Sequence, residues 1–218
     1  MGIRAVVFDV DGTLYPSFKM YFRSIGFFLQ HPLLLIKFNN VRKRIRAIRP
    51  ITNFKHLQAE LLAEEMGIPV EQAAVIIDTI MYQKWENIFK GIRTFPHVQP
   101  VLNELKRRNL MLGVLSDFPV LTKLAYMNLE GLWDCALASE EAGYLKPNPE
   151  PFLLASRQLN VDPSEILFVG NSYEYDIVGA KKVGMKAALF TRGRWHNGKA
   201  DVVFSSYKNF IGDIEEII

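Results

Sequence analysis

Two hydrophobic rhythms divide this chain. In one, short apolar runs rich in β-branched residues alternate with stretches of helical periodicity. The runs are Ala5–Asp9, Leu110–Ser116, Cys135–Ser139, Ile166–Gly170, Ala187–Thr191 and Asp201–Phe204. They predict strands buried on both faces. Between and after them, Val98–Arg108, Val120–Asn128, Glu150–Leu159, Glu174–Val183 and Ser206–Ile217 carry helical spacing. Asn148 and Pro149 stand where an N-cap and first helical residue belong. Strand-helix alternation predicts an α/β fold, a parallel sheet with helices on both faces.

The other rhythm runs from about Tyr15 to Arg93 and is helical, with no convincing strand. Val41, Ile45 and Ile48 recur at helical spacing among Arg42, Lys43, Arg44, Arg46 and Arg49. Further helical patterns cover His56–Met66 and Val70–Phe89, separated by Gly67-Ile68-Pro69, and Glu71 suits the first turn of the second. Gly91 through Pro96 reads as the return linker. The expected organisation is an α/β core of residues 1–14 and 95–218 with a helical insert of residues 15–94.

Composition narrows the classes. Of 218 residues, 49% are hydrophobic and 22% charged, as in a folded globular chain rather than a disordered one. Cys135 is the only cysteine, which excludes an internal disulfide or a cysteine-based zinc site and fits a reducing, cytoplasmic setting. No apolar stretch approaches a membrane span, and no cleaved leader is expected ahead of the first strand. Charge is unevenly placed. Gly12 to Lys55 holds nine Lys or Arg and no acid, so the net +3 divides into +9 there and −6 elsewhere. This asymmetry suggests an anionic partner, and Phe27, Phe28, Leu33, Leu34, Leu35 and Phe38 just before the basic helix read as the insert's own core beside a solvated charged face, or as a surface that selects an anionic or bulky apolar group. An anionic or membrane surface is one such partner, and nucleic acid has no recognition motif to support it.

The chemistry starts at Val6-Val7-Phe8-Asp9-Val10-Asp11-Gly12-Thr13. Period-2 geometry points Asp9 and Asp11 to one side of an extended chain. Buried like charges require a cation or a shared proton. Mg²⁺ suits such oxygen ligands, and the pair could divide the roles of nucleophile and proton carrier. Three further clusters end later strands or follow them. Ser116-Asp117 could hold a phosphate oxygen or merely cap a turn. Lys146, before a proline-stiffened turn, could pair with a phosphate and with Asp9, or be an ordinary solvated lysine. Asn171 and Asp176 could face an ion near the first acids, or Asn171 or Ser172 could cap a helix with Asp176 in its favourable first turn. Ligands bind at the carboxyl ends of strands in open parallel sheets. The order of acid pair, Ser, Lys and Asn/Asp pair at successive strand ends therefore argues for one site.

At these positions the chain resembles the haloacid dehalogenase-like hydrolase superfamily. Phe8-Asp9-Val10-Asp11-Gly12-Thr13 matches its first motif, and Ser116, Lys146 and Gly170–Asp176 match the second, third and fourth. The resemblance implies a Rossmann-like core with an inserted helical cap, and a phosphatase that hydrolyses a small phosphate monoester through an aspartyl-phosphate on Asp9. Asp11 would be the acid and base. Thr13, Ser116, Asp117 and Lys146 would form the phosphate-binding set. Mg²⁺ would be held by Asp9, the Asp11 carbonyl, Asn171 and Asp176. Asn171 and Asp117 depart from the pattern, where an acid and an Asn are common. The second acid, Asp11, argues for a phosphoester over a haloacid, since a halide leaving group needs no proton. A phosphomutase, or a phosphate-binding regulatory module with weakened turnover, shares the same residues.

Overall fold

The computed structural model describes residues 2–193 and 198–218. The central strand β1 (Ala5–Phe8) is followed by a run of helices: α1 (Ser17–Arg23), α2 (Ile25–Gln30), α3 (Pro32–Ala47), α4 (Phe54–Met66) and α5 (Val70–Ile76). A π-helical stretch, Ile77–Lys84, extends α5, and a short 3-10 turn covers Asn87–Phe89. The chain then alternates: α6 (Val98–Arg107), β2 (Met111–Ser116), α7 (Leu121–Tyr126), β3 (Cys135–Ala138), α8 (Pro149–Leu159) and β4 (Ile166–Gly170). A π-turn (Tyr173–Ile177), α9 (Val178–Lys182), β5 (Lys186–Phe190), β6 (Val202–Phe204) and α10 (Phe210–Ile214) complete it.

The six strands form one parallel sheet in the order β3-β2-β1-β4-β5-β6. Strand alternation assigns the two faces. Val6 and Phe8 pack with Val98, Leu102 and Leu105 of α6 and with Phe210 and Ile214 of α10. Ala5 and Val7 face Phe152, Ala155 and Leu159 of α8 and Ile177 and Ala180 beyond β4. Burial on both faces explains the near-continuous apolar strands. The chain steps outward from β1 to β3, then returns to lay β4 on the other side of β1. Their carboxyl ends therefore form the topological switch point where open α/β sheets bind ligands.

Each expected strand is present to within a residue at either end. The helical expectations are trimmed for local reasons. Asn128 has a φ of 54°, which stops the helix after β2 before Asn128 is reached. Only Phe210–Ile214 of the expected Ser206–Ile217 is α-helical. Glu174–Val183 opens as a π-turn rather than an α-helix. Asn148 stands at the N-cap of α8, but its side chain makes no capping bond. Its Oδ1 instead accepts from Arg49 at 2.8 Å, and its Nδ2 donates to the carbonyls of Leu145 and Arg46.

The insert has its own core. Phe38, Val41 and Ile45 of α3 meet Leu61 and Leu62 of α4 and Ile77 and Met81 of the π-helical stretch. Asn53 caps α4 by accepting from the His56 amide at 3.1 Å, and Gly67 ends that helix at a φ of 68°. Leu145 of the α/β part is buried in the same cluster. The insert thus rests directly on the loop that carries Lys146.

Candidate active site

Asp9 leaves β1 with its amide still bonded to the Val169 carbonyl of β4 at 2.8 Å, so the residue is fixed at the switch point. Gly12 then turns the chain at a φ of 90°, where a Cβ would sit 2.4 Å from Asn171 Nδ2. Only glycine allows this close approach of the first turn to the β4 loop. Thr13 follows, fully buried. Its hydroxyl donates to Asp9 Oδ2 at 2.8 Å and lies 3.3 Å from Asn171 Oδ1. Its carbonyl accepts from the Tyr207 hydroxyl at 3.0 Å.

Lys146 joins the parts. Its ammonium donates to Asp9 Oδ1 at 2.8 Å, to Asp176 Oδ1 at 2.6 Å and to the Leu115 carbonyl of β2 at 3.2 Å. All three of its donors are thereby matched. Asp176 reaches it because the π-turn widens the start of the helix after β4. The other Asp176 oxygen accepts from the Ser172 amide at 2.9 Å. Gly170 permits this too, since a Cβ there would fall 2.5 Å from Asp176 Cγ. Ser172 takes the capping role, accepting from the Tyr175 amide.

Asp11 belongs to a second, adjoining cluster. Lys123 of α7, itself buried, donates to both Asp11 oxygens at 2.9 and 2.7 Å. Ser116 donates to Asp11 Oδ2 at 3.0 Å, and the Tyr15 hydroxyl donates to Oδ1. Lys123 and Tyr15 are neighbours of Asp11 that sequence reasoning missed. Tyr15 sits four residues after Asp11 and Lys123 seven after Ser116, but neither spacing is distinctive.

The electrostatics of the two aspartates diverge. Burial pushes the Asp9 carboxyl up to about 7, against the pull of Lys146 and with further push from Asp176 and Asp11. Burial also pushes on Asp11. There the Lys123 charge, with the bonds from Lys123, Tyr15 and Ser116, wins and holds the carboxyl below its ordinary value. The Lys146 ammonium is held well above the usual lysine range, since Asp176, Asp9 and Asp117 outweigh its burial.

Asp117 turns out of this pair of clusters. Its carboxylate accepts from Arg46 of α3, and its Oδ1 lies 3.4 Å from the Lys146 amide. Its carboxyl is held low, by Lys146, Arg42 and Arg46 against burial. Arg46 Nε also donates to the Lys146 carbonyl at 2.8 Å, and its guanidinium lies over the Tyr175 ring at 4.5 Å. Arg42 bonds the Asp117 carbonyl and faces Glu140 at 3.6 Å, while Arg49 pairs with Glu150. Arg44 pairs with Glu64 and Glu65 inside the insert. Four of the nine basic residues between Gly12 and Lys55 thus have acidic partners within the chain. Three of them fasten the insert onto the loops around Lys146. The outward field of that segment is weaker than its sequence charge.

Asp9, Asp176 and Asn171 could hold a cation through oxygen atoms, with Lys146 already between the two acids. No group of three His, Cys, Asp or Glu among the described residues makes a metal cluster by itself, so the set depends on the Asn171 carboxamide. Among the described residues no helix is long and apolar enough to cross a membrane.

The chain is similar to several known proteins. A glyceraldehyde 3-phosphate phosphatase of Methanopyrus kandleri is 29% identical over 210 residues, covering 89% of this chain and 87% of that protein. A phosphoglycolate phosphatase of Salmonella paratyphi A is 27% identical, covering 96% and 91%. The crystal structure of a 2-haloacid dehalogenase from Pseudomonas syringae pv. Tomato DC3000 superposes with a TM-score of 0.70 at 25% identity, over 98% of this chain and 99% of that one. The family model described as haloacid dehalogenase-like hydrolase matches residues 3–184. With its switch-point aspartate, buried lysine and helical insert, the chain belongs to the haloacid dehalogenase-like hydrolase family.

Proposed function

We propose that this hydrolase is a Mg²⁺-dependent phosphatase that cleaves a small phosphate monoester through an aspartyl-phosphate on Asp9. The observation that carries the reading is the Lys146 ammonium held 2.8 Å from Asp9 and 2.6 Å from Asp176 at the switch point. Phosphoryl transfer asks mainly for positioning and charge neutralisation, and this arrangement supplies both. The curated relatives' phosphatase names point the same way.

In this reading the Asp9 carboxylate attacks phosphorus while Thr13 Oγ orients its second oxygen. Ser116 and Lys146 would each turn a donor from its resting partner, Asp11 for Ser116 and Asp9 or the Leu115 carbonyl for Lys146, to the phosphoryl oxygens. Asp117, with its carboxylate engaged by Arg46, offers its backbone N–H. Asp11 gives a proton to the leaving oxygen and later takes one from the attacking water. Lys123 keeps Asp11 ionised at rest, and the arrival of a phosphate dianion favours its protonation through like-charge repulsion. That second acid is what separates a phosphoester substrate from a haloacid.

The donor set fits Mg²⁺. Burial, with further push from Asp176 and Asp11, raises the Asp9 carboxyl despite Lys146, and the neighbouring donors are hard oxygens that suit a small divalent cation. Asp9, the Asp11 carbonyl, Asn171 Oδ1 and Asp176 would hold the ion, which would offset charge between the carboxylate and the phosphoryl group. Purified protein should release phosphate from a metabolite panel only with Mg²⁺, and Asp9→Asn should abolish release. Equal release by the variant would overturn the reading.

One observation favours a phosphate-binding module with weak turnover: a neutral carboxamide occupies the position of an acid. Asn171→Asp adds a charge beside Asp9 and Thr13. A large gain in Mg²⁺-dependent activity would support the weakened site, and an unchanged rate would count against it.

A further inference from the structure

A cavity of about 220 Å³ lies between the insert and the α/β part, ending on Asp11 and Lys123. Its walls are mostly apolar: Phe28 and Phe38 from the helices after β1, Met81 and Trp85 from the stretch before the return linker, and Phe118 from the loop after β2. Phe118 packs against Phe38, with ring centroids 6.4 Å apart, so both parts of the chain contribute to one wall. Among the described lining residues, Lys123 is the only cation. Its ammonium is already within 2.9 Å of both Asp11 oxygens and 4.7 Å from the Phe89 ring centroid. Tyr21 and Asn39 add neutral polar groups but no charge. Arg42 does not line the cavity: its guanidinium lies over the wall ring of Phe118 at 4.2 Å, with its donors taken by the Asp117 carbonyl and Gln58. Arg42 and Arg46 face the Asp117 loop, and Arg49 faces Glu150.

We propose that the substrate is the phosphate monoester of an apolar, ring-sized alcohol whose hydrocarbon part fills this cavity. This rests on the phosphatase reading, because the acid role of Asp11 places the leaving oxygen at the end of the cavity where Asp11 stands. Beyond that oxygen the leaving group meets aromatic rings, thioethers and aliphatic carbon. A carboxylate or second phosphate there would lose its water and find no unpaired cation. An apolar group exchanges water for close-packed walls. The volume exceeds the roughly 150 Å³ of an apolar cavity that takes up benzene. By the same chemistry, the carboxylate-bearing substrate named for the phosphoglycolate phosphatase relative is a poor fit here.

Binding and turnover are measured separately, with Mg²⁺ present throughout. Isothermal titration compares benzylphosphonate with phosphonoacetate, which presents a carboxylate in place of the ring. Phosphate release compares benzyl phosphate with phosphoglycolate. We expect benzylphosphonate to bind at least about tenfold tighter, and benzyl phosphate to have a kcat/KM higher by a similar factor, the scale set by a few buried carbons. Phe28→Arg places a cation in the wall and should reduce the preference about tenfold while leaving the circular dichroism spectrum unchanged. Tighter binding of phosphonoacetate, equal binding of the two, or binding of neither overturns the proposal. An unchanged preference in a folded Phe28→Arg protein does the same. If that variant unfolds, the wild-type comparison decides alone. Preferential benzylphosphonate binding without hydrolysis of either ester would refute the phosphatase reading and leave the ligand class standing.

Discussion

Asp9→Asn should stabilise the metal-free protein while removing its activity. Asp9 is buried, and its carboxyl is raised from 3.8 to about 7. The folded chain therefore holds this proton more tightly than the unfolded chain does. The sign follows from linkage: between pH 3.8 and 7 this group makes folding less favourable as pH rises, and above pH 7 the full penalty is present. Each pKa unit is worth about 1.4 kcal/mol, so the penalty has a ceiling of about 4 kcal/mol. Asn cannot ionise and escapes it. Its carbonyl still accepts from Lys146, its amide NH2 faces the Thr13 hydroxyl oxygen as a donor where Asp9 Oδ2 had accepted, and Lys146 retains Asp176 at 2.6 Å. Urea denaturation in EDTA at pH 8 should find the variant more stable by about 2–4 kcal/mol. The gap should shrink steadily toward pH 4, where both side chains are neutral. Adding Mg²⁺ should stabilise the wild type more than the variant, because the ion binds the folded carboxylate. A variant less stable than wild type at pH 8, or a gap that ignores pH, would refute the electrostatic account of the cluster.

The remaining predictions concern its supports. Asp11→Asn should lower kcat by about 10²–10⁴-fold for an alkyl phosphate and much less for nitrophenyl phosphate, whose leaving group needs little protonation, as steady-state kinetics would resolve. The same substitution leaves buried Lys123 without its counter-charge and should cost about 2–3 kcal/mol in urea denaturation, a reduced cost because Asp11 is partly exposed. Gly12→Ala should destabilise by more than about 1 kcal/mol and weaken Mg²⁺ binding measured by titration, since its Cβ collides with Asn171. Arg46→Ala removes the tie between α3 and the Asp117 and Lys146 loops. It should raise KM more than it lowers kcat and cost about 1–3 kcal/mol of stability.

The sheet was legible because its strands are buried on both faces, and that burial writes itself into the chain as uninterrupted apolar runs. Asp9, Lys146 and Asp176 were legible as a group because chain order maps onto strand ends in a parallel sheet. Their contact distances follow from β1 and β4 being neighbours. Lys123 was illegible for the opposite reason. A buried lysine and a solvated one look alike in sequence, and only the packing of α7 under Asp11 separates them. The role of Arg42 and Arg46 was hidden likewise. Their four-residue spacing was visible as a basic helix, but the partners, Asp117 and Glu140, lie far along the chain. The π-turn at Tyr173 has no periodic signature over so few residues, although it is what turns Asp176 toward Lys146.

The most direct measurement is acid quenching of a single turnover with a reactive aryl phosphate and Mg²⁺, followed by peptide mapping by mass spectrometry. A phosphoryl group is expected on the peptide spanning Phe8–Thr13, localised to Asp9, formed and lost at rates matching turnover, and missing from Asp9→Asn. Phosphate release at full rate with no label on Asp9 would contradict the account.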